Sequence, residues 1–186
     1  GGLDYGKRVV RDYMFELIRA VVEDYDFEGL ELDWLRTPQC CEPNPPPAVV
    51  EMIFAWHAEL KSLTRARAQR SGWPYAFGLR SLPCLGQMRS VGIDVPAMAR
   101  AGLLDFVVAS NVHQATWDEP FDRLRHELGP EVRLFGVINT EPNWLPCHDP
   151  AGGVSGTRRM YTTPELVRGN AAGKWTLGAD GIESFN

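Results

Sequence analysis

The sequence predicts an α/β fold and, within that class, the last part of a (β/α)8 TIM barrel, from about strand four to strand eight. Helix-like and buried strand-like segments alternate five times along the 186 residues, which is the pattern of a parallel sheet. The long loops all follow strands, as they do in barrels whose active sites are built from those loops. No glycine-rich phosphate-binding motif follows any predicted strand, so the sequence does not support a nucleotide-binding fold.

The first half of the chain predicts two helices and two strands. Asp4 is placed to cap a helix over residues 5–24. A buried strand over residues 29–34 and a proline-rich loop over residues 37–47 follow. A helix over residues 48–69 and a strand over residues 75–82 complete this half. The first helix has one apolar stripe at helical spacing, formed by Val9, Val10, Tyr13, Met14, Leu17, Ile18 and Val21.

The second half continues the same alternation. Asp94 opens a short helix that ends at Arg100, and Thr163 with Pro164 opens the last helix, because a capping residue and a first-turn proline stand together there. The other predicted elements are a strand over 104–110, a helix over 119–128, a strand over 132–139, a Gly/Pro loop over 140–162, the continuation of the last helix to 176, and a final strand over 178–186.

A complete barrel of this type takes about 250 residues. We therefore interpret residues 1–186 as a single partial barrel domain of the catalytic type. The N-terminal strands, roughly the first three, and the last helix are expected to be missing. The chain begins with Gly1 rather than Met, which agrees with a missing natural N-terminus and leaves the cellular compartment open.

The composition is that of an ordinary globular protein with an acidic balance. Hydrophobic residues make up 44% and charged residues 23%, the net charge is −5, and the pI is about 5.4. This balance argues against nucleic acid as a partner, and no apolar run approaches the roughly 20 residues of a membrane helix. No CxxC pair supports a zinc framework, so no metal or cofactor is expected. The four cysteines are Cys40, Cys41, Cys84 and Cys147.

The strand over residues 29–34 carries two carboxylates, Glu31 and Asp33, on an otherwise apolar segment. Side chains two residues apart on a strand point to the same face. Burying two acids without partners is costly, so the pair indicates a site. The alternative is an ion pair with Arg36, Arg80 or another cation inside the barrel. For Arg80 the sequence leaves open a structural pair with Glu31 or Asp33 and a contact with substrate.

Other polar and aromatic residues lie at or near strand ends. Histidine can act as a general acid or base, and aromatic rings stack on sugar rings and line pockets. Glu141 lies where a retaining barrel glycosidase often keeps its nucleophile, and Glu183 repeats the local pattern around Glu31. The alternative to a site is that these residues are solvated in loops or pack the loops over the barrel. The candidates of this group are Asn111, His113, Asn139, Glu141, Glu183, Trp34, Trp117, Trp144 and Tyr161.

Three segments of the chain resemble a bacterial glycosyl-hydrolase-like TIM-barrel family. They are the run Tyr25-Asp26-Phe27-Glu28-Gly29-Leu30-Glu31-Leu32-Asp33-Trp34-Leu35-Arg36, the pair Gly92-Ile93-Asp94-Val95 and Ala101-Gly102-Leu103-Leu104-Asp105, and Gly178-Ala179-Asp180-Gly181-Ile182 with Phe185-Asn186. The resemblance implies a barrel and a glycosidase-type function. The first run is also similar to the DGxDxDxE strand of family 18 chitinases, whose final Glu is the proton donor. Leu35 stands at that position here.

The leading hypothesis is a glycoside hydrolase that acts on a poly- or oligosaccharide with two carboxylates. Asp33 would be the acid or acid/base and Glu141 its partner, with Glu183 as substitute. Glu31 and Arg80 would tune the pKa of Asp33 and hold its orientation. A non-catalytic carbohydrate-binding barrel is the second hypothesis, motivated by Leu35. The third is a metal-dependent hydrolase that uses Asp33, His113 and Glu141 or His148.

Overall fold

The computed structural model describes residues 2–111, 117, 119–139 and 162–184. For residues 144–148, 154–159 and 185 it describes the backbone. These residues form six helices and seven strands. In chain order they are α1 (Arg8–Asp24), β1 (Gly29–Asp33), α2 (Pro47–Ser71), β2 (Ala76–Ser81), α3 (Leu85–Ser90), α4 (Val95–Arg100), β3 (Phe106–Ala109), α5 (Phe121–Leu128), β4 (Arg133–Asn139), β5 (Trp144–His148), β6 (Val154–Arg159), α6 (Pro164–Thr176) and β7 (Gly181–Phe185).

Five strands form one parallel sheet in the order β1-β2-β3-β4-β7, which confirms the predicted α/β class. Each connection between neighbouring strands contains at least one helix, as a parallel pair requires a crossover. All carboxyl ends therefore lie at one edge of the sheet. Asp33 pairs with Arg80 in the register of β1 and β2, so both stand close to that edge.

The two faces of the sheet differ in chemistry. Alternate residues of the strands pack under the helices as a fully buried core that includes Phe77, Leu79, Val107 and Leu134. The opposite face carries Glu31, Arg80 and Glu183 together with two aromatic rings. Those rings, Phe106 and Phe135, meet edge to face at 6.0 Å between centroids. Glycine is required beside each, because a Cβ at Gly78 would collide with Phe106 and a Cβ at Gly181 would lie 2.7 Å from Phe135.

Two predicted starts and two predicted loops are wrong. The final strand begins at Gly181 rather than at residue 178. Helix α1 begins at Arg8, because the side chain of Asp4 accepts a hydrogen bond from Gly6 N at 2.9 Å and so closes a turn before the helix. The loop predicted after β2 contains helix α3. The loop predicted over residues 140–162 contains the antiparallel hairpin β5–β6. Short paired strands tolerate proline where only one neighbour exists, and Pro146 lies in such a strand.

Helix caps of the second half are confirmed. The Asp94 side chain accepts a hydrogen bond from Ala97 N at 3.1 Å at the start of α4. Thr163 Oγ1 accepts from Leu166 N at 3.4 Å at the start of α6, where Pro164 follows at the first helical position. Both arrangements satisfy a backbone donor that has no partner inside its own helix.

The apolar stripe of α1 divides into two faces. Val10, Met14 and Ile18 pack against the core together with the fully buried Val22. The other members of the stripe are exposed, from 72% at Val9 to 37% at Val21, with Tyr13 and Leu17 between. The apolar stripe that the spacing identifies is therefore only partly covered by the core. Its exposed members do not mark a membrane span, since no helix in the described part of the chain is long and apolar enough to cross a bilayer.

Candidate functional site

Arg80 is the centre of a charged cluster on the inner face of the sheet. Its guanidinium donates from Nε to Glu31 Oε1 on β1 at 2.8 Å, and from Nη2 to Glu183 Oε1 on β7. Only 7% of Arg80 is exposed. A buried guanidinium is stable in such a place when carboxylates surround it. Of the two ion-pair partners that the sequence left open, the structure shows Glu31, and it adds Glu183.

The electrostatics of the cluster raise the pKa of Glu31. Burial is the largest cause, and the carboxylates of Glu183 and Asp33 add to it, while the hydrogen bond and charge of Arg80 oppose it. For Arg80, burial lowers the pKa, but the surrounding carboxylates outweigh it and the pKa is raised overall. The guanidinium therefore stays charged, and Glu31 holds its proton to a higher pH than an ordinary Glu does.

Asp33 lies at the carboxyl end of β1, on the same face as Glu31, and its residue is exposed. Its Oδ1 accepts hydrogen bonds from the backbone N–H groups of Leu35 at 2.9 Å and Arg36 at 3.4 Å. The turn after the strand thus fixes the orientation of this carboxylate and leaves its second oxygen open to solvent. The side chain of Leu35 is buried, and that of Arg36 is exposed.

A second polar cluster lies at the carboxyl ends of β3 and β4. The backbone N and side-chain Nδ2 of Asn111 each donate to Glu119 Oε1 at 3.2 Å. The other Glu119 oxygen accepts from the buried Lys174 of α6. Asn139 Nδ2 donates to Asn111 O at 3.3 Å and to Ser110 Oγ at 3.4 Å. The predicted site residues Asn111 and Asn139 are therefore brought together, and Glu119, itself paired with Lys174, binds Asn111.

Glu119 and Lys174 were not predicted from the sequence. They are 55 residues apart and belong to no motif, so only the tertiary fold, which brings α6 beside the segment ahead of α5, joins them. One feature of the sequence could have indicated Glu119: it lies just after the loop that follows β3. A buried charge at such a place requires a partner of opposite sign.

Trp34 lies in the core rather than at the strand-end surface. Its ring packs edge to face on Tyr5 at 4.8 Å and on Trp56 at 6.4 Å between centroids. Its Nε1 donates to His57 Nε2 at 3.2 Å. Trp34 directly follows Asp33 at the end of β1, so its side chain points to the opposite face, toward the helices. The buried ring of Trp34 therefore offers no face at the strand-end surface on which a sugar could stack.

Several predicted site residues lie outside the described part of the chain. Glu141, His113 and Tyr161 are among them, and for Trp144 only the backbone in β5 is described. Trp117 is described: it is 52% exposed, and its ring passes close to Gly169 of α6. Within the described residues, no group of three His, Cys, Asp or Glu side chains is placed to hold a metal ion.

Solved structures similar to this chain are glycoside hydrolases. A multi-modular, cell-surface-expressed chitinase from Paenibacillus sp. str. FPU-7 matches with a TM-score of 0.65 at 12% identity, over 100% of this chain and 30% of the other. A glycoside hydrolase family 18 N-acetylglucosaminidase from Paenibacillus barengoltzii matches with a TM-score of 0.53 at 15% identity, over 88% and 56%. A family 18 chitinase from Cycas revoluta in complex with (GlcNAc)4 matches with 0.53 at 16%, over 87% and 52%.

This likeness shows the fold. The described residues have the fold of part of a TIM barrel, as the sequence predicts. It spans between about a third and somewhat more than half of the length of these structures. No protein-family model and no curated protein matches the chain. The reaction therefore has to be argued from the site.

Proposed function

We propose that the protein is a glycoside hydrolase that cleaves the glycosidic bonds of a poly- or oligosaccharide by carboxylate acid/base catalysis. The observation that supports this most is the grouping of Glu31, Asp33 and Glu183 around the single guanidinium of Arg80. The group lies on the inner face of a barrel sheet, and barrel enzymes keep their sites at the carboxyl ends of such strands. Glycoside hydrolysis needs two carboxyl groups with different protonation states.

The roles that we propose rest on accessibility. Asp33 is exposed and oriented by backbone hydrogen bonds, so it can reach the glycosidic oxygen, and we assign it as the acid or acid/base. Glu141 is its first partner, and Glu183, held by Arg80, is the substitute. Glu31 and Arg80 fix the charge around Asp33. A carboxyl separation near 5 Å would give retention, and one of roughly 6.5–9.5 Å would give inversion.

The substrate that we propose is an oligomer of N-acetylglucosamine. One of the similar structures, the Cycas revoluta chitinase, holds (GlcNAc)4. The alternative function is a barrel that binds carbohydrate without cleaving it. It is favoured by one observation, the buried Leu35 at the position where the chitinase strand places its proton donor. A leucine there cannot transfer a proton.

The test is the release of reducing ends from chitooligosaccharides and from a panel of other glycans by the purified protein. We expect release that persists when a chelator is present, because the proposed catalysis uses carboxyl groups alone. Binding of a glycan, seen by calorimetry, without any release would contradict hydrolysis and support the binding barrel. Loss of release in the chelator, with recovery on adding a divalent cation, would contradict carboxylate catalysis in favour of a metal-dependent hydrolase.

A further inference from the structure

Two consecutive cysteines in the loop between β1 and α2 converge on one carbonyl group. The thiols of Cys40 and Cys41 both donate to Val91 O, with Sγ–O distances of 2.7 Å and 3.2 Å. Both are free thiols. Because the two sulfurs share one small acceptor, they are neighbours in space as well as in sequence. A Cβ added at Gly92 would lie 2.8 Å from Cys41 Sγ, so the turn is packed directly against the pair.

The pair ties together three parts of the chain. Cys40 O accepts a hydrogen bond from Tyr5 N at 2.7 Å, ahead of α1. The thiols reach Val91, just after α3. Asn44 N donates to Ser90 O at 2.7 Å in the same contact. The loop between β1 and α2 is thus fastened on both sides, and the thiol hydrogen bonds exist only while both sulfurs are reduced.

We propose that Cys40 and Cys41 form a redox-active vicinal dithiol that a low-molecular-weight disulfide oxidises to a disulfide between the two neighbours. Cys41 is the more open of the two, at 9% exposure against 1% for Cys40. Its thiolate attacks one sulfur of the reagent and forms a mixed disulfide, and the first reagent thiolate leaves. Cys40 then attacks the Cys41 sulfur and the second reagent thiolate leaves. Two protein thiols are oxidised, one reagent disulfide is reduced, and both protons pass to the leaving thiolates.

The surroundings set the rate of this reaction. Burial raises the pKa of both thiols, that of Cys40 to about 12. The greater exposure of Cys41 favours it as the attacking group. Because the thiolate is the nucleophile, the oxidation is slow at neutral pH and accelerates by up to about tenfold per pH unit as the solution becomes alkaline.

The test uses the native protein and oxidised glutathione, with intact mass and peptide mapping as the readout. The expected product has lost two hydrogens on the peptide that contains residues 40 and 41, carries no glutathione there, and is restored by dithiothreitol. Phenylarsine oxide is an independent measure of sulfur proximity, and we expect one arsenical to bridge both sulfurs with release of one water. Cys84→Ser, at an exposed cysteine, is the matched control and should leave both results unchanged.

Two outcomes would overturn the proposal. One is that residues 40 and 41 remain two thiols at pH 9 while Cys84 takes up glutathione. The other is that either of them is joined to Cys84 or Cys147 instead of to its neighbour. Cys40→Ser gives a further check: Cys41 should then stop at the mixed disulfide, because its resolving thiol is gone. The arsenical measurement on native protein needs no variant and decides the matter if that variant does not fold.

Discussion

Replacing Arg80 with methionine should reduce the free energy of unfolding by about 3–5 kcal/mol, the cost of breaking a buried ion pair by removing one partner. Glu31 and Glu183 would be left beside each other without the guanidinium that now binds both. Methionine retains much of the aliphatic volume, so the loss reports the charge and its hydrogen bonds. The measurement is urea-induced unfolding, with the midpoint and slope compared between the variant and the native protein.

The matched control is Arg8→Met on the surface of α1. Arg8 makes a single exposed ion pair with Asp12, and such a pair contributes less than about 1 kcal/mol. The triple variant Arg80→Met, Glu31→Gln and Glu183→Gln removes the buried charges together and should recover part of the stability lost in Arg80→Met. If Arg80→Met were no less stable than Arg8→Met, the charged cluster would not be the buried unit described above.

The second large effect is an acid-induced loss of stability that depends on His57. This side chain is fully buried, and burial lowers its pKa to about 4 from the ordinary 6.5, against the opposing hydrogen bond to Ile53 O. Its Nε2 accepts from Trp34, which requires the neutral ring. Between pH 6.5 and 4 the unfolded chain takes up a proton that the folded chain excludes. Stability contributed by the neutral ring is therefore present above 6.5 and falls as the pH drops to 4.

The size of that loss is on the order of 3 kcal/mol over the window. The check is the free energy of unfolding measured at several pH values for native protein and His57→Gln. Glutamine can still accept the Trp34 hydrogen bond but does not titrate, so the native curve should be steeper between pH 6.5 and 4. His126→Gln on the exposed surface of α5 should keep the native steepness. Parallel curves for native protein and His57→Gln would contradict the burial of a neutral imidazole.

The alternation of helix-like and strand-like segments along the sequence was sufficient to predict the parallel sheet. The alternation of segments and the two-residue spacing of Glu31 and Asp33 are short-range features, and the structure places both acids on one face as that spacing requires. The same spacing places Trp34 on the opposite face. Its aromatic ring suggested a surface on which a sugar could stack. The two-residue period of the strand instead predicts the face that Trp34 occupies.

The contacts that complete the cluster could not be predicted, because they depend on distances across the fold. Arg80 and Glu183 are 103 residues apart, and only the curvature of the sheet brings the side chain of β2 to that of β7. Glu119 and Lys174 meet for a similar reason. On α1, the spacing of the apolar residues identified a stripe. It could not show how much of that stripe other elements cover, and four of its members are exposed.

The turnover of Asp33→Asn on the glycan that the native protein cleaves tests whether Asp33 works as the acid in a glycosidic site. The amide oxygen of asparagine can keep the hydrogen bonds from Leu35 N and Arg36 N, so the fold of the turn should survive. We predict a loss of about 10²–10⁴-fold in kcat with little change in KM, the usual contribution of a general acid. Asp12→Asn, an exposed aspartate of α1, should turn over like the native protein. Undiminished turnover by Asp33→Asn would show that Asp33 is not the general acid.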